Sequence, residues 1–484
     1  MRELERHRIK EGEGVRATSI PSSFGSILSG FRGCFTHPSF ENFVRLMAGW
    51  VLCPGRRTIS RVIQASEAAK HHSTLYRFFS RARWSAGDLG ERLFRFLLPW
   101  PPEEITVLID DTLCHRGGPH LFGAGMHHDA SRSTYGRRTS AGPTVQFAFG
   151  HNWVALAVWV PLPWHPSGGK ALPLLFRLYR SKKRCPERDY RKRTDLAAEL
   201  LQSLHRWLPA GRRLLVVGDA EYACRSVIRT LPESIHFVGP MCMDAALYAP
   251  ARRRRQRGRK AIKGTRLLSP QKLAAQRGPW KRLAVTIYGR RTRILVKSQR
   301  CLWYTVAGAR LGRMVLTRDP RGRISDRAYF CTDPDRSLQE ILVAFSRRWE
   351  IEVAFREAKQ SMGLEDPQNG WWRRPAGTRR PKKRAGPQPR GRRGELAIRH
   401  TFPFAFLAYG LVVSWYLRCG RPAHDVTIAR RSASWYAQKH APSFTNMLSA
   451  LRRELWRARI SSNPSLHRVR RNVQRLFQPW LLAA

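Results

Sequence analysis

The spacing of apolar residues changes along the chain and separates helical parts from a strand-rich part. Between about residues 40 and 100 the apolar positions recur every three or four residues, as in FENFVRLMAGWVL, which predicts amphipathic helices. β-rich runs bounded by Gly and Pro follow at 105–109, 144–149, 153–160 and 214–217. The runs at 144–149 and 153–160 predict two hairpin-like strands. A helical pattern at 193–208 precedes the strand predicted at 214–217. These elements indicate a mixed α/β sheet.

Helical patterns also flank the sheet on both sides. Two short runs within TISRVIQASEAAKHHSTLYRFFSRARW, joined near 70–72, are compatible with a helix-turn-helix-like unit whose second helix enters a DNA groove. An ordinary structural helix pair is the alternative. Helical patterns return at 396–419 and 443–482. The apolar run 402–417 is slightly short for a membrane span and contains Pro and Gly, so a buried core helix is expected.

The charge balance identifies the kind of partner. The chain has 484 residues, with 88 Lys and Arg against 34 Asp and Glu, a formal charge of +54. This excess points to a polyanionic partner. An anionic membrane surface is the alternative, and it would require a basic amphipathic helix or an anchor. MRELERHRIK resembles neither a signal peptide nor a lipidation site, and nine cysteines without a C-x-x-C pair suggest reduced thiols. We therefore expect a cytoplasmic, nucleoid-associated protein.

One stretch of the chain concentrates the positive charge. Residues 245–318 contain no Asp or Glu, and aromatic residues alternate with Lys and Arg: Trp280, Tyr288, Trp303 and Tyr304. Such a sheet suits contact with a nucleic-acid backbone and stacking on bases. An ordinary β-domain with arginines on its solvent face is the alternative. A second basic run, 373–394, is rich in Pro and Gly and is expected to be a disordered loop.

Acidic residues stand out against this background at three places. VLIDDT and VVGDAEY each place aspartate where a buried strand is expected to end, and SRRWEIEVAFREAKQSMGLED places Glu352 on a helix between Arg348 and Arg356. One interpretation of Glu352 is a rung in a surface ion-pair ladder. The other is a carboxylate that joins the two strand-end aspartates to hold two divalent cations for phosphoryl transfer.

The spacing Phe345-x2-Arg348-x3-Glu352-x6-Lys359 resembles the Y-x2-R-x3-E-x6-K signature of bacterial insertion-sequence DDE transposases. IDDT and VVGDAEY resemble the aspartate motifs of that group, in the same order, from about residue 105 to 420. The resemblance implies a ribonuclease-H-like catalytic core, and it implies a metal-binding triad of Asp111, Asp219 and Glu352.

The resemblance also implies cofactors and roles for the neighbouring residues. It favours Asp111, which precedes Thr112, over Asp110 as the first ligand. Two Mg²⁺ ions would bind, with Mn²⁺ able to substitute. Arg348 and Lys359 occupy the phosphate-binding positions of the signature. The other predicted DNA-binding residues lie on the same face as Glu352: Arg356, Phe345 and Trp349. Phenylalanine at position 345 departs from the signature because it lacks the tyrosine hydroxyl.

The resulting prediction is an α/β protein with a ribonuclease-H-like core, a β-rich insertion and helical terminal regions. Its expected parts are a flexible N-terminus (1–24), a helical DNA-binding region (25–100), the core (101–235 and 331–420), the basic β-rich insertion (236–330) and a helical C-terminal region (421–484). The predicted function is a transposase that cuts transposon ends and joins the 3′-hydroxyl to target DNA, so the expected partner is double-stranded DNA. The resemblance further implies that the protein works as a homodimer on paired ends. The alternatives are an inactive DNA-binding relic and a stand-alone nuclease of the same fold.

Overall fold

The computed structural model describes residues 20–66, 70–117, 121–133, 144–251, 261–367 and 391–462. Parts of four predicted segments lie outside these residues: the N-terminus before 20, the basic run 252–260, most of the loop 373–394 and the helical pattern after 462. The strands are β1 (Glu104–His115), β2 (Gly125–His128), β3 (Phe147–Leu162), β4 (His165–Tyr179), β5 (Arg213–Gly218), β6 (Ile235–Met241), β7 (Leu247–Pro250), β8 (Lys263–Leu267), β9 (Lys281–Ile287), β10 (Arg290–Leu302), β11 (Leu311–Arg318) and β12 (Arg327–Cys331).

The α-helices precede, interrupt and follow these strands. They are α1 (Ser22–Ser29), α2 (His37–Leu52), α3 (Ile59–Ala65), α4 (His72–Ser80), α5 (Ala86–Leu97), α6 (Arg193–Trp207), α7 (Arg225–Ile228), α8 (Pro270–Ala275), α9 (Tyr304–Ala307), α10 (Leu338–Arg347), α11 (Trp349–Ser361), α12 (Arg392–Cys419), α13 (Pro422–Ser432) and α14 (Phe444–Ser462). The predicted pair of short helices is present as α3 and α4. Its role in DNA binding stays a prediction.

All the described strands belong to one mixed sheet. Its order is β2-β3-β1-β5-β6-β12-β11-β10-β7-β8, with β4 beside β3 and β9 beside β10. At the centre β1, β5 and β6 run parallel, and Val107, Leu108 and Ile109 are fully buried. Parallel strands need cover on both faces, which explains this apolar run. The mixed α/β class predicted from the sequence is confirmed.

The hairpin predicted at 144–160 is wrong, because residues 147–149 of the first run and the whole second run belong to the single strand β3. Gly150 separates the runs and suggested a turn, but it pairs with His115 in the ladder between β1 and β3. A Cβ atom at Gly150 would lie 2.1 Å from the carbonyl oxygen of Cys114. Glycine is therefore required here for the close approach of β1, and the chain stays extended.

Helix α12 is the apolar helix that the sequence predicted to be buried. Among the described residues it alone is long and apolar enough to cross a membrane, and 89% of its apolar window is buried inside the protein. Phe402 stacks on Trp153 of β3 with ring centroids 4.3 Å apart and planes 6° apart. Helix α12 therefore packs on the sheet as a core helix.

The basic strands of the predicted insertion continue the central sheet rather than forming a separate one. β12 pairs with β6 through Cys331 and Val238, and β11, β10, β7 and β8 follow outward. The aromatic residues predicted to stack on bases differ in how far their rings are exposed. Trp303 is buried against Phe330, and the Arg318 guanidinium lies 4.2 Å from the Trp280 ring. Tyr288, in contrast, is 59% exposed at the turn between β9 and β10.

Candidate active site

Two adjacent aspartates lie inside β1 rather than at its end. The prediction of a strand end there is wrong, because β1 continues to His115 through its pairing with β3. On the other side of β1, the hydrogen-bonded pairing with β5 stops at the pair Ile109 and Gly218. Asp110 and Asp111 therefore lie just beyond the end of β5. This position leaves both side chains near the turn that follows β5.

Asp219 begins that turn, immediately after β5, as the sequence predicted. Its Oδ1 accepts hydrogen bonds from the backbone N–H groups of Glu221 (2.9 Å) and Tyr222 (3.2 Å). An aspartate that bonds to the backbone two or three residues ahead fixes a tight turn. The same bonds hold the Asp219 carboxylate beside the two aspartates of β1.

The two aspartates of β1 point to opposite faces of the sheet, since side chains alternate along a strand. Thr106, which shares the face of Asp110, accepts a hydrogen bond from Arg347 (2.9 Å) at the end of α10. Helices α10 and α11 therefore cover the Asp110 face. Asp111 faces the opposite side, where Arg193 begins α6.

Asp110 and Glu352 share one guanidinium. Arg348, at the junction of α10 and α11, contacts Asp110 Oδ2 through Nη1 (2.8 Å) and Glu352 Oε1 through Nη2 (2.5 Å). Asp110 is only 8% exposed, and its Oδ1 also accepts a hydrogen bond from the backbone N–H of Asp111 (2.8 Å). The contact joins β1 to α11 although 242 positions separate the two acids in the sequence.

Asp111 has a different set of partners. Its Oδ2 accepts hydrogen bonds from Asn152 Nδ2 (2.7 Å) and Arg193 Nη1 (3.4 Å), and its Oδ1 accepts one from the Tyr222 hydroxyl (3.3 Å). Arg193 also binds Glu221 through Nε (2.7 Å). The carboxylates are therefore divided into two clusters, one around Arg348 and one around Arg193, with Asp219 near both.

Burial changes the acidity of the first cluster. Loss of hydration raises the pKa of Asp110 well above its usual value; Arg348 opposes this rise, while the charges of Asp111 and Asp219 add to it. Burial likewise raises the pKa of Asp219. Both groups therefore hold a proton more tightly than an exposed aspartate does, because a buried charge is costly when it is incompletely compensated.

The remaining predicted residues lie along α10 and α11. Lys359 donates to the carbonyl oxygen of Leu113 (2.6 Å), and its Nζ lies 3.9 Å from Glu365 Oε1. Arg356 is exposed, and Trp349 is 47% exposed. The ring of Phe345 packs against Tyr329 with centroids 4.7 Å apart. Of the predicted DNA-binding residues, Arg348 is the one whose contacts with Asp110 and Glu352 are observed.

Three partners of this site were not identified from the sequence: Asn152, Arg193 and Tyr222. Asn152 lies within a buried strand run, and Arg193 is one of many arginines near the start of a helix. Nothing in the local pattern distinguishes either residue. Tyr222 lies within the VVGDAEY motif, so its closeness to Asp219 was evident, but its contact with Asp111 required the sheet register.

These carboxylates have the oxygen ligands that Mg²⁺ prefers, but their arrangement does not fit a metal site. Among the residues that the structure describes, no group of three or more His, Cys, Asp or Glu side chains is placed to hold a metal ion. The acids predicted as the triad are held by different arginines, Asp111 by Arg193 and Glu352 by Arg348.

Comparison with known proteins identifies a family for this chain. The family described as DDE superfamily endonuclease matches residues 30–307, more than half of the chain. The matched part includes β1 and β5 with their aspartates and ends before Glu352. No curated protein matches. The chain belongs to the DDE superfamily endonuclease family.

Proposed function

We propose that this protein is a DNA transposase of the insertion-sequence group with the Y-x2-R-x3-E-x6-K signature, built on a ribonuclease-H-like core. It would cut transposon ends and join the released 3′-hydroxyl to target DNA. The contact of Arg348 with both Asp110 and Glu352 carries the proposal. It brings the first acidic motif and the signature helix to one point beside Asp219, as a shared site for phosphoryl transfer requires.

The residues of this cluster suit a reaction on a phosphodiester. A guanidinium binds phosphate oxygens as readily as carboxylate oxygens, so Arg348 can exchange its carboxylate partners for the backbone of the bound strand. A released carboxylate can then accept the proton of the attacking water or 3′-hydroxyl. Exposed Arg356 and Trp349 lie on the same helix and would contact the adjoining DNA.

The first carboxylate of the site is better assigned to Asp110 than to Asp111. Asp110 shares a guanidinium with Glu352, whereas Asp111 is bound by Asn152, Arg193 and Tyr222 on the other face of the sheet. Asp111, favoured by the signature motif, would then support the site by orienting Arg193. The Mg²⁺ ions implied by the signature group stay a proposal, and binding them would require Arg348 to release its carboxylates.

Cleavage of supercoiled DNA that carries the element's own ends tests this function. Wild-type protein in Mg²⁺ or Mn²⁺ should nick at the ends, and Glu352→Gln should bind the same DNA without cutting it. The pair Asp110→Asn and Asp111→Asn decides between the aspartates, because only the variant at the site carboxylate should lose cleavage entirely. Joining of a pre-cut end to a second DNA distinguishes a transposase from a nuclease.

A non-enzymatic DNA-binding relic is the second candidate. The observation that favours it is the pairing of the site's carboxylates with arginines, which leaves no assembled group of three acids among the described residues. Such a protein would bind transposon ends and cut under no metal condition, with wild type and Glu352→Gln behaving alike. For the active enzyme we propose a cytoplasmic, nucleoid-associated homodimer acting on paired ends.

A further inference from the structure

The C-terminal helices carry an excess of positive charge outside the candidate active site. From residue 418 to 462 there are nine Lys and Arg and two acids, Asp425 and Glu454. Both acids are already paired within this part. Asp425 is buried, accepts a hydrogen bond from the Tyr416 hydroxyl (2.7 Å) and contacts Arg453. Glu454 contacts Arg457 (2.6 Å). The surplus positive charge is therefore not balanced locally.

Large rings are exposed on this basic part. Trp435 is 79% exposed, and Tyr436 and Trp456 are also exposed. Apolar side chains of this size normally lie in a core, and Trp435 and Tyr436 are neighbours in the chain, so this exposed pair of rings indicates an interaction surface. A cation lies close to one of these rings: Lys439 Nζ is 4.9 Å from the Tyr436 centroid. Arg459, 5.4 Å from the Trp456 centroid, is buried and donates to the carbonyl oxygen of Ala65 (2.7 Å).

The turn that carries Trp435 is fixed at both ends. Arg430 of α13 donates to the carbonyl oxygen of Lys439 (2.9 Å), which closes the turn over residues 433–439. The Trp435 and Tyr436 rings lie 6.1 Å apart. Val426 of α13 and Leu448 of α14 are buried, so both flanking helices are anchored by apolar faces. The rings are thus held on an ordered base and do not lie on a loose tail.

We propose that α13, the turn 433–439 and α14 form a second DNA-binding surface centred on Trp435. An indole ring stacks on any unpaired base, while neighbouring arginines bind the phosphates of the same strand. The unbalanced positive charge favours DNA over a second copy of this chain, which would carry the same charge. The occupant would be a DNA strand with accessible bases, such as a single-stranded overhang.

Binding of a labelled duplex with a ten-nucleotide overhang of unrelated sequence tests this surface, measured by fluorescence anisotropy on the full chain. Trp435→Ala should weaken binding by about five- to a hundredfold, the range expected for one lost stacking contact. Trp435→Phe keeps a ring and should lie within about threefold of wild type. Arg431→Gln should reduce the slope of log K against log salt by about one.

Arg213→Gln is the matched control, because Arg213 is exposed at the start of β5, the opposite end of that strand from Asp219. It should change neither affinity nor salt slope beyond a small uniform effect. Unchanged binding by Trp435→Ala would overturn the proposal. So would a variant that loses self-association in sedimentation while binding the overhang normally, since the surface would then belong to a second copy. The test uses no cleavage and no element ends, so its result is independent of the proposed transposase activity.

Discussion

At the scale of single residues, Arg348 is the centre of the candidate active site. Its guanidinium contacts one acid from β1 and one from α11. If the protein binds a divalent ion at these carboxylates, as proposed, Arg348 would compete with that ion for the same oxygens. Release of Arg348 to a DNA phosphate would remove this competition, which couples DNA binding to assembly of the site.

Replacing Arg348 by glutamine should strengthen binding of Mn²⁺ to the free protein, on the order of tenfold, because the competing charge is gone. A titration of Mn²⁺ followed by electron paramagnetic resonance measures the affinity without requiring activity. Arg356→Gln is the control, since Arg356 is an exposed arginine on the same helix and should leave the affinity within about twofold. Weaker Mn²⁺ binding by Arg348→Gln would show that Arg348 supports the ion instead of competing with it.

Replacing Asp110 by asparagine should stabilise the fold at neutral pH by roughly 1 kcal/mol, because it removes an incompletely compensated buried charge. The direction follows from the raised pKa of Asp110, which means that the folded state binds this proton more tightly than the unfolded chain. The penalty is absent below the unfolded pKa of about 3.9 and grows as pH rises through the folded pKa.

Urea unfolding of wild type and Asp110→Asn at pH 7 and pH 4 measures this effect. The difference in unfolding free energy between the two proteins should be larger at pH 7 and should shrink towards pH 4. A variant that is less stable than wild type at pH 7 would mean that the ion pair with Arg348 outweighs the cost of burial.

At the scale of secondary-structure elements, a buried polar network fixes α11 to its neighbours. Lys170 of β4 binds both carboxylate oxygens of Glu357 (2.6 and 2.8 Å), and the Tyr409 hydroxyl of α12 donates to the same group (2.9 Å). Lys170 and Tyr409 are buried. The network sets the position of α11 and hence of Glu352, which lies little more than one turn earlier.

Lys170→Met should cost about 3 kcal/mol of unfolding free energy, because Glu357 would keep a largely buried charge without its cation. Chemical denaturation at neutral pH measures the change. Lys182→Met provides the contrast, since Lys182 pairs with Glu187 at 3.7 Å on an exposed surface and should cost less than about 1 kcal/mol. Adding Glu357→Met to Lys170→Met should recover most of the loss, and failure to recover would assign the cost to packing instead.

The sequence predicted the helices and strands whose apolar residues follow a clear helical or strand pattern. It missed the strands that form only because neighbouring strands pair with them. The helices near 40–52 and 193–208 and the strand at 214–217 follow from local patterns. β4 was missed because HPSGGKALPLLFRLY contains two glycines and an internal Pro173, which oppose a strand unless neighbours impose it. The single strand β3 was misjudged because the close approach of β1 to Gly150 is not visible in the chain itself.

In the candidate site, too, some features could be predicted from the sequence and others depend on tertiary packing. The order and types of the three acidic motifs were evident from the sequence. The choice between Asp110 and Asp111 depends on which face of β1 the helix of Glu352 covers, and that is decided by tertiary packing. The roles of Arg193 and Asn152 likewise depend on register between distant strands. The site residues predicted from the signature stay predictions until variants are measured.

At the scale of the whole molecule, the charge of +54 should dominate binding to DNA of any sequence. A protein that contacts about six to ten phosphates loses roughly a thousand- to a hundred-thousandfold in affinity between 50 and 200 mM salt. We expect a loss in this range for an unrelated duplex, measured by anisotropy in a salt series. A nearly flat dependence would mean that most of the surplus charge does not contact the backbone.

The continuous sheet has a mechanical consequence. The strands from β10 through β11, β12 and β6 to β5 are joined by backbone hydrogen bonds, and Asp219 follows β5 directly. If DNA is bound on the outer basic strands, as their charge predicts, a force on that DNA would reach the Asp219 end of β5 through this ladder. We expect a displacement of such a duplex to shift the Asp219 end of the sheet in the same direction.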